Sequence, residues 1–256
     1  MSKIAIILTT IERNDLCCRT MNNLLHFKPK DTSILIGDQN SEKNRLEEIN
    51  GVIIYPLPHD CGLSYARNYL VSRAAAMEIP YCLISADSIQ FTKQYNFEPI
   101  IEFLETDEKN AIVGFNLQKR IPWEFNLDLK KDGFWLTRSD SYVEYRGINY
   151  HEVEICRNFF LAKTSVLSKI KWDDNLKLAE HEDFFWRLKQ EKYKVYTTNL
   201  ISANYISEKP AEYQKLRKRW GEIYIPLLLK KYNISNWINY SPEVIKIFDD
   251  WRKNNG

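Results

Sequence analysis

No run of apolar residues in this sequence approaches the roughly 18 that a membrane-crossing helix needs. The first residues carry one lysine and the short run Ile4-Ala5-Ile6-Ile7-Leu8 before polar residues resume, too little for the core of a secretory signal. Cysteine is sparse and unpatterned. Cys17, Cys18, Cys61, Cys82 and Cys156 form an odd set without a CxxC pair, which excludes a disulfide framework and a cysteine zinc site and suits a reducing compartment. An excess of either charge is also missing. The 36 basic and 34 acidic residues leave a formal charge of +2 and are interspersed, so nucleic acid is not an expected partner. Internal repeats and low-complexity tracts are absent, which excludes solenoids and disordered linkers. What remains is a chain of 256 residues, 44% hydrophobic, able to bury one sizeable core and expected to work in the cytoplasm.

Short apolar runs alternate with helical patterns through the first half, which is the signature of βαβ units around a mainly parallel sheet. Strands are predicted at residues 4–8, 33–37, 52–55 and 81–85, and sheet-covering helices at 14–26 and 64–77. The expected fold class is therefore α/β, a mainly parallel mixed sheet flanked by helices. Ligands of open α/β sheets sit outside the carboxyl ends of the strands, so residues 9–13, 38–41 and 85–88 should converge. Between 110 and 147 the pattern weakens into aromatic and charged segments, read as irregular hairpins walling a pocket. Composition changes near residue 205. A catalytic domain over 1–205 and a helical extension over 206–256 are expected.

Three segments can carry chemistry. Asp87 follows an apolar strand in Ile84-Ser85-Ala86-Asp87-Ser88, where a carboxylate could hold a divalent cation against a diphosphate or simply cap a turn. In His59-Asp60-Cys61-Gly62-Leu63-Ser64-Tyr65-Ala66-Arg67-Asn68, Gly62 permits a tight turn into a helix whose start suits an anion. Arg67 stands one turn inside, either reaching a diphosphate or merely solvated. The densest block is Glu180-His181-Glu182-Asp183-Phe184-Phe185-Trp186-Arg187. Its carboxylates could be simple dipole partners of a helix start, but four ionisable residues in a row beside three aromatics are costly unless they line a pocket. One carboxylate could act as general base toward a hydroxyl.

Together these residues resemble the family 2 inverting glycosyltransferases of the GT-A fold. In the second half they also resemble the β-1,4-N-acetylgalactosaminyltransferases. The likeness spans residues 3–198. It is carried by Thr9-Thr10-Ile11-Glu12-Arg13, by Asp38 at the end of the second strand, and by Gly62 through Asn68. More specific are Arg157-Asn158-Phe159-Phe160-Leu161-Ala162-Lys163-Thr164 and Trp172-Asp173-Asp174-Asn175-Leu176-Lys177 with the block from Glu180.

The resemblance implies transfer of a sugar from a nucleotide diphosphate, with uridine diphosphate the favoured carrier, by single displacement with inversion. It implies Asp183 as the base and Glu182 as its neighbour. Thr9, Thr10, Glu12, Arg13, Asp38, Gly62, Arg67, Ser85, Ala86 and Asp87 become the donor-binding set. Glu180, His181, Asn158 and Trp123 become the acceptor set, with Trp135 and Tyr142 as further stacking candidates.

Two departures stand out. Ser85-Ala86-Asp87 takes the place of the family's Asp-x-Asp, and the last histidine is His181, so a Mn²⁺ or Mg²⁺ ion on Asp87 should be weakly held. Positive charge from Arg217-Lys218-Arg219 is expected to replace part of it. The acceptor is expected to be a glycan or glycolipid in surface polysaccharide synthesis. The basic and apolar stretch 214–232 is the candidate for peripheral contact with the inner membrane face, against a bland alternative in which it packs on the catalytic domain. A nucleotidyltransferase should open with a Gly-rich loop, and residues 9–13 contain no glycine. A degenerate sugar-nucleotide-binding subunit is the non-enzymatic alternative.

Overall fold

A computed structural model describes residues 2–255, with side chains through residue 253. The chain opens with β1 (Ile4–Thr10), α1 (Asn14–Phe27), β2 (Thr32–Asp38), β3 (Ile53–Pro56), α2 (Leu63–Ala76) and β4 (Tyr81–Ile84). It continues through β5 (Ile89–Gln90), α3 (Glu98–Leu104), β6 (Asn110–Leu117), β7 (Phe125–Lys130), β8 (Gly133–Arg138), β9 (Tyr142–Tyr145), β10 (Ile148–Val153), β11 (Phe160–Lys163) and α4 (Thr164–Ile170). It ends with α5 (Glu180–Gln190), β12 (Lys194–Tyr205), α6 (Ala211–Tyr232), β13 (Ile238–Tyr240) and α7 (Pro242–Asn255).

The main sheet runs β3-β2-β1-β4-β11-β6-β12-β10-β9, with β5 paired to β12. Strands β3, β2, β1 and β4 are mutually parallel, and β11 enters antiparallel between β4 and β6. The mixed α/β sheet expected from the sequence is thus present. Alternate β1 side chains leave on opposite faces, as the two-residue strand period requires. Ala5 and Ile7 join Leu70, Val71 and Ala74 of α2, while Ile4, Ile6 and Leu8 join Cys17, Met21 and Leu24 of α1. Helices therefore cover both faces and leave the carboxyl ends of the parallel strands for a ligand.

The region 110–147 departs from its reading as irregular hairpins. Its first segment is the central strand β6, buried from Asn110 through Phe115 and parallel to β12. A strand buried on both faces is a continuous apolar run without alternation, which is why Ala111-Ile112-Val113 gives little periodic signal. At Gly114 a Cβ would lie 2.6 Å from Cys156 Cβ, so close packing requires glycine there. The hairpin β7–β8 does form, and β13 from the C-terminal segment adds to it in parallel. Helix α6 reaches back over the ends of β1 and β2, where Ile11, Tyr213 and Trp220 are buried together.

Candidate functional site

The loops after β1, β2 and β4 meet at one end of the sheet. The backbone amide of Glu12 donates to Asn40 Oδ1 at 2.5 Å, and Glu12 in turn accepts from Asn44 at 3.0 Å. Gln39 Oε1 accepts from the amide of Gly62 at 2.7 Å, which ties the start of α2 to β2. Gly62 has φ +95°, a left-handed conformation that favours glycine, and a Cβ there would meet Lys177. Around these loops lies a cavity of about 480 Å³ lined by Glu12, Ser41 and His59 from the sheet side and by Lys215, Leu216 and Arg219 of α6.

Several expected donor residues turn out to be internal braces. Asp38, expected to contact the base, is 1% exposed and accepts from the amides of Asn40 and Leu46, both at 2.9 Å. Arg67, expected to approach a diphosphate, is buried, pairs with Glu180 at 3.1 Å and lies over the Trp172 ring. In this structure each is paired where it lies, as a buried charge must be. Thr9, Thr10 and Ser85 are buried at the strand ends, and Ala86 is partly exposed.

Asp87 is fully buried. The Arg13 guanidinium bonds both of its oxygens, with Nε donating to Oδ2 at 3.0 Å, and Thr10 Oγ1 also donates to Oδ2 at 3.0 Å. Burial pushes its carboxyl up to about 6, against the opposing pull of Arg13 and Thr10. Mg²⁺ and Mn²⁺ bind through one or two carboxylates completed by substrate phosphate oxygens and water, so Asp87 would hold such a cation with the donor's diphosphate once Arg13 turned away from it. Arg13 already supplies the positive charge that a metal would bring to Asp87.

The block at the start of α5 divides its residues among different surroundings. Successive helical positions lie about 100° apart, so four in a row point four ways. Glu180 pairs with Arg67. Glu182 is buried and accepts from Trp237 Nε1 at 2.9 Å. Asp183 is completely buried and bonded by Arg187 Nε at 3.0 Å, by Lys231, and by the Tyr232 hydroxyl at 2.7 Å. In that arrangement it joins α5 to α6.

Together with Ala86, Ser88 and Asn158, His181 lines a cavity of about 220 Å³. Its Nδ1 lies 3.0 Å from Asn158 Oδ1, which can only accept, so Nδ1 carries the proton and Nε2 the lone pair. Burial, with the nearby charges of Arg67 and Arg157, pushes the imidazole down to about 3 and keeps it neutral. Trp123 of the expected acceptor set lines the same cavity. Trp135 and Tyr142 lie elsewhere, Trp135 bonded to Asp132 and Tyr142 exposed on β9.

Glu182 gives a pH-dependent prediction. Burial raises its carboxyl from the ordinary 4.5 to about 7, so the folded chain binds the proton more tightly than the unfolded one. Stability from this group is complete below about 4.5 and is lost as pH rises through 7. Glu182→Gln keeps an acceptor for Trp237 and removes the charge. The variant is expected to gain about 3 kcal/mol over the parent at pH 8 and less than about 1 kcal/mol at pH 5, read from urea midpoints.

Sequence reasoning brought the charge of Arg217-Lys218-Arg219 toward the donor but missed the aromatic contacts of α6. Tyr213 covers Arg13 at 4.2 Å, and Trp220 donates to Asp60 at 3.0 Å. The basic and apolar density of 214–232 reads from sequence as a membrane or packing surface, and Arg217-Lys218-Arg219 as charge for the donor.

No family model matches the chain. Solved structures do. The chain superposes on GalNAc-T7, a structure with UDP, GalNAc and Mn²⁺, with a TM-score of 0.64 at 12% identity over 98% of this chain and 55% of that one. On the mannosyltransferase PcManGT from Pyrobaculum calidifontis, in complex with GDP-Man and Mn²⁺, the TM-score is 0.59 at 11% identity over 99% of this chain and 70% of that one. On TarS of S. aureus it is 0.54 at 14% identity, over 86% of this chain and 39% of that one. The fold is that of the GT-A glycosyltransferases. The chain spans well under two thirds of TarS and of GalNAc-T7.

Proposed function

We propose that this chain is an inverting glycosyltransferase that moves a sugar from a nucleotide diphosphate, uridine-linked in our reading, to a hydroxyl of a glycan or glycolipid. The observation that carries this reading is His181 facing the loop after β4 across a cavity that it lines together with Asn158 and Trp123. The nucleotide is assigned to the cavity between the β1 and β2 loops and α6, whose lining carries Lys43, Lys215 and Arg219 beside Glu12 and Glu212. The acceptor approaches from the His181 side. Its hydroxyl gives the proton to Nε2 while the oxygen attacks the anomeric carbon, and the bond to the diphosphate breaks with its electron pair leaving on the nucleotide. An anionic donor offsets the part of the imidazole's depression that comes from Arg67 and Arg157, burial remaining its largest cause. No step passes through a metal.

We assign residues 1–205 to catalysis and 206–256 to an extension that also closes the donor cavity. Contact of 214–232 with a membrane surface remains part of the proposal, supported by Ile223 and Leu227, which are 46% and 43% exposed on α6. Lys215 and Arg219 bond Glu212 and Asp60, which leaves fewer basic residues for anionic lipid. Among the described residues no helix is long and apolar enough to cross a membrane.

The test is a thermal-shift and nucleotide-release panel of UDP-, GDP- and CMP-sugars, each with Mn²⁺ or with chelator. A ligand that binds only the folded state raises stability by RT ln(1 + [L]/Kd), about 2.7 kcal/mol at a hundredfold excess over Kd. One uridine donor is expected to stabilise the protein equally in both conditions and to be hydrolysed slowly. No stabilisation by any nucleotide sugar would overturn the proposal. Stabilisation only with Mn²⁺ would mean that Arg13 leaves Asp87 on binding.

A further inference from the structure

Beside the His181 cavity lies a second, more open cleft of about 480 Å³ between the end of β6, the end of β12 and α7. The two share Leu117, Trp123, Arg157 and Tyr205, so the cleft leads directly to the proposed reacting centre. Its lining contains Arg120, Arg157, Lys209 and Arg252 and no Asp or Glu. Four cations without a carboxylate are unusual in a chain whose charges balance at +2. Of these, only Arg252 has an ion pair among the described residues, with Asp249 at 2.9 Å.

Arg157 is the informative member. It is partly buried and lies over the Trp123 ring at 4.9 Å, and its one hydrogen bond from a terminal nitrogen goes to the carbonyl of Ile121 at 2.8 Å. Its Nε and the Trp123 Nε1 are both buried donors without an acceptor. Burial and the like charge of Arg120 bring its guanidinium down to about 10, the direction expected of a cation lacking a counter-charge. A buried donor left unsatisfied costs about 1–3 kcal/mol, and a chain that keeps two of them beside an unpaired guanidinium is arranged for an anion to supply the acceptors. Arg120 lies over the Tyr205 ring at 4.7 Å, so each of the two guanidinium groups is held in place by an aromatic face.

We infer that this cleft binds the acceptor through an anionic group, a carboxylate or phosphate of an acidic glycan, gripped by Arg157 and Arg120 with its sugar against Trp123. The inference rests on the transferase reading for the word acceptor, but anion binding itself can be measured without turnover. The carboxylate or phosphate accepts from Arg157, and the aromatic walls take the apolar face of the ring.

The experiment is calorimetric titration of the full chain, without donor, by three probes: a hexuronic acid disaccharide, a hexose phosphate and a neutral hexose disaccharide. At least one charged probe should bind ten times or more tighter than the neutral one. The difference should shrink as salt rises from 50 to 500 mM, and which charged probe wins distinguishes carboxylate from phosphate. Arg157→Gln should lose at least tenfold of that preference. Arg120→Gln, at an exposed position, should lose a smaller part and serves if Arg157→Gln folds poorly. Equal affinity for charged and neutral probes would overturn the inference. So would displacement of the charged probe by UDP, which would make the cleft part of the donor site. A protein that prefers the charged probe yet binds no nucleotide sugar keeps the anion site and loses the transferase reading, so the two failures are distinguishable.

Discussion

Asp183→Asn is expected to lower stability by about 3 kcal/mol while the folded fraction keeps its turnover within a few-fold. The carboxylate is completely buried and is the meeting point of Arg187 from its own helix with Lys231 and Tyr232 from α6. Removing the charge and keeping the shape leaves two cations facing a neutral amide. Breaking one side of a buried ion pair costs far more than a surface pair is worth, because the remaining charge stays desolvated. Part of the loss is offset, since Lys231 also bonds Asp173 at 2.7 Å and Arg187 Nη2 donates to the carbonyl of Lys171 at 2.7 Å. The measurement pairs urea midpoints with initial rates at low temperature, where the variant is still folded. A rate loss beyond a hundredfold with an unchanged midpoint would return Asp183 to the reacting centre.

The difference between this expectation and the one drawn from sequence shows where legibility stops. Strand ends are local features, and the apolar runs that end at Thr10, Asp38 and Ile84 announced the crevice correctly. The cluster from Glu180 to Asp183 was likewise legible as costly and therefore placed at a pocket. Which member faces that pocket was not legible, because it depends on the direction in which the chain enters α5. Ala179 has a left-handed φ of 63° at the start of α5, where His181 lines the cavity with Ala86 and Ser88 while Asp183 meets Lys231 and Tyr232 of α6.

The partners that occupy the other three residues are distant in sequence. Arg67 reaches Glu180 across 113 residues, Trp237 reaches Glu182 across 55, and Lys231 reaches Asp183 across 48. No periodicity records such pairings. Sequence reasoning treats each carboxylate as available until a partner is seen, whereas folding assigns buried carboxylates their partners first and leaves the neutral imidazole at the surface of the cavity.

His181→Gln carries the second large effect, a fall in kcat of about a hundred to ten thousandfold with donor affinity within a few-fold of the parent. Glutamine can donate to Asn158 Oδ1 as His181 does, so the α5 start should keep its geometry, but it offers no nitrogen lone pair to take a proton. The imidazole is pushed down to about 3, so stability should change little between about pH 7.5 and 9, where the group is neutral in both folded and unfolded chains. That isolates chemistry from folding, which the Asp183 variant cannot do. The pH profile supplies a second readout. In the parent, kcat should rise with pH until the donor-bound imidazole is neutral and then level off, and in His181→Gln that limb should vanish with the rate. The comparison is made by following nucleotide release at saturating donor across pH 5 to 9, with thermal midpoints measured on the same samples. A variant with parental kcat would show that His181 only shapes the cavity and that the acceptor proton leaves by another path.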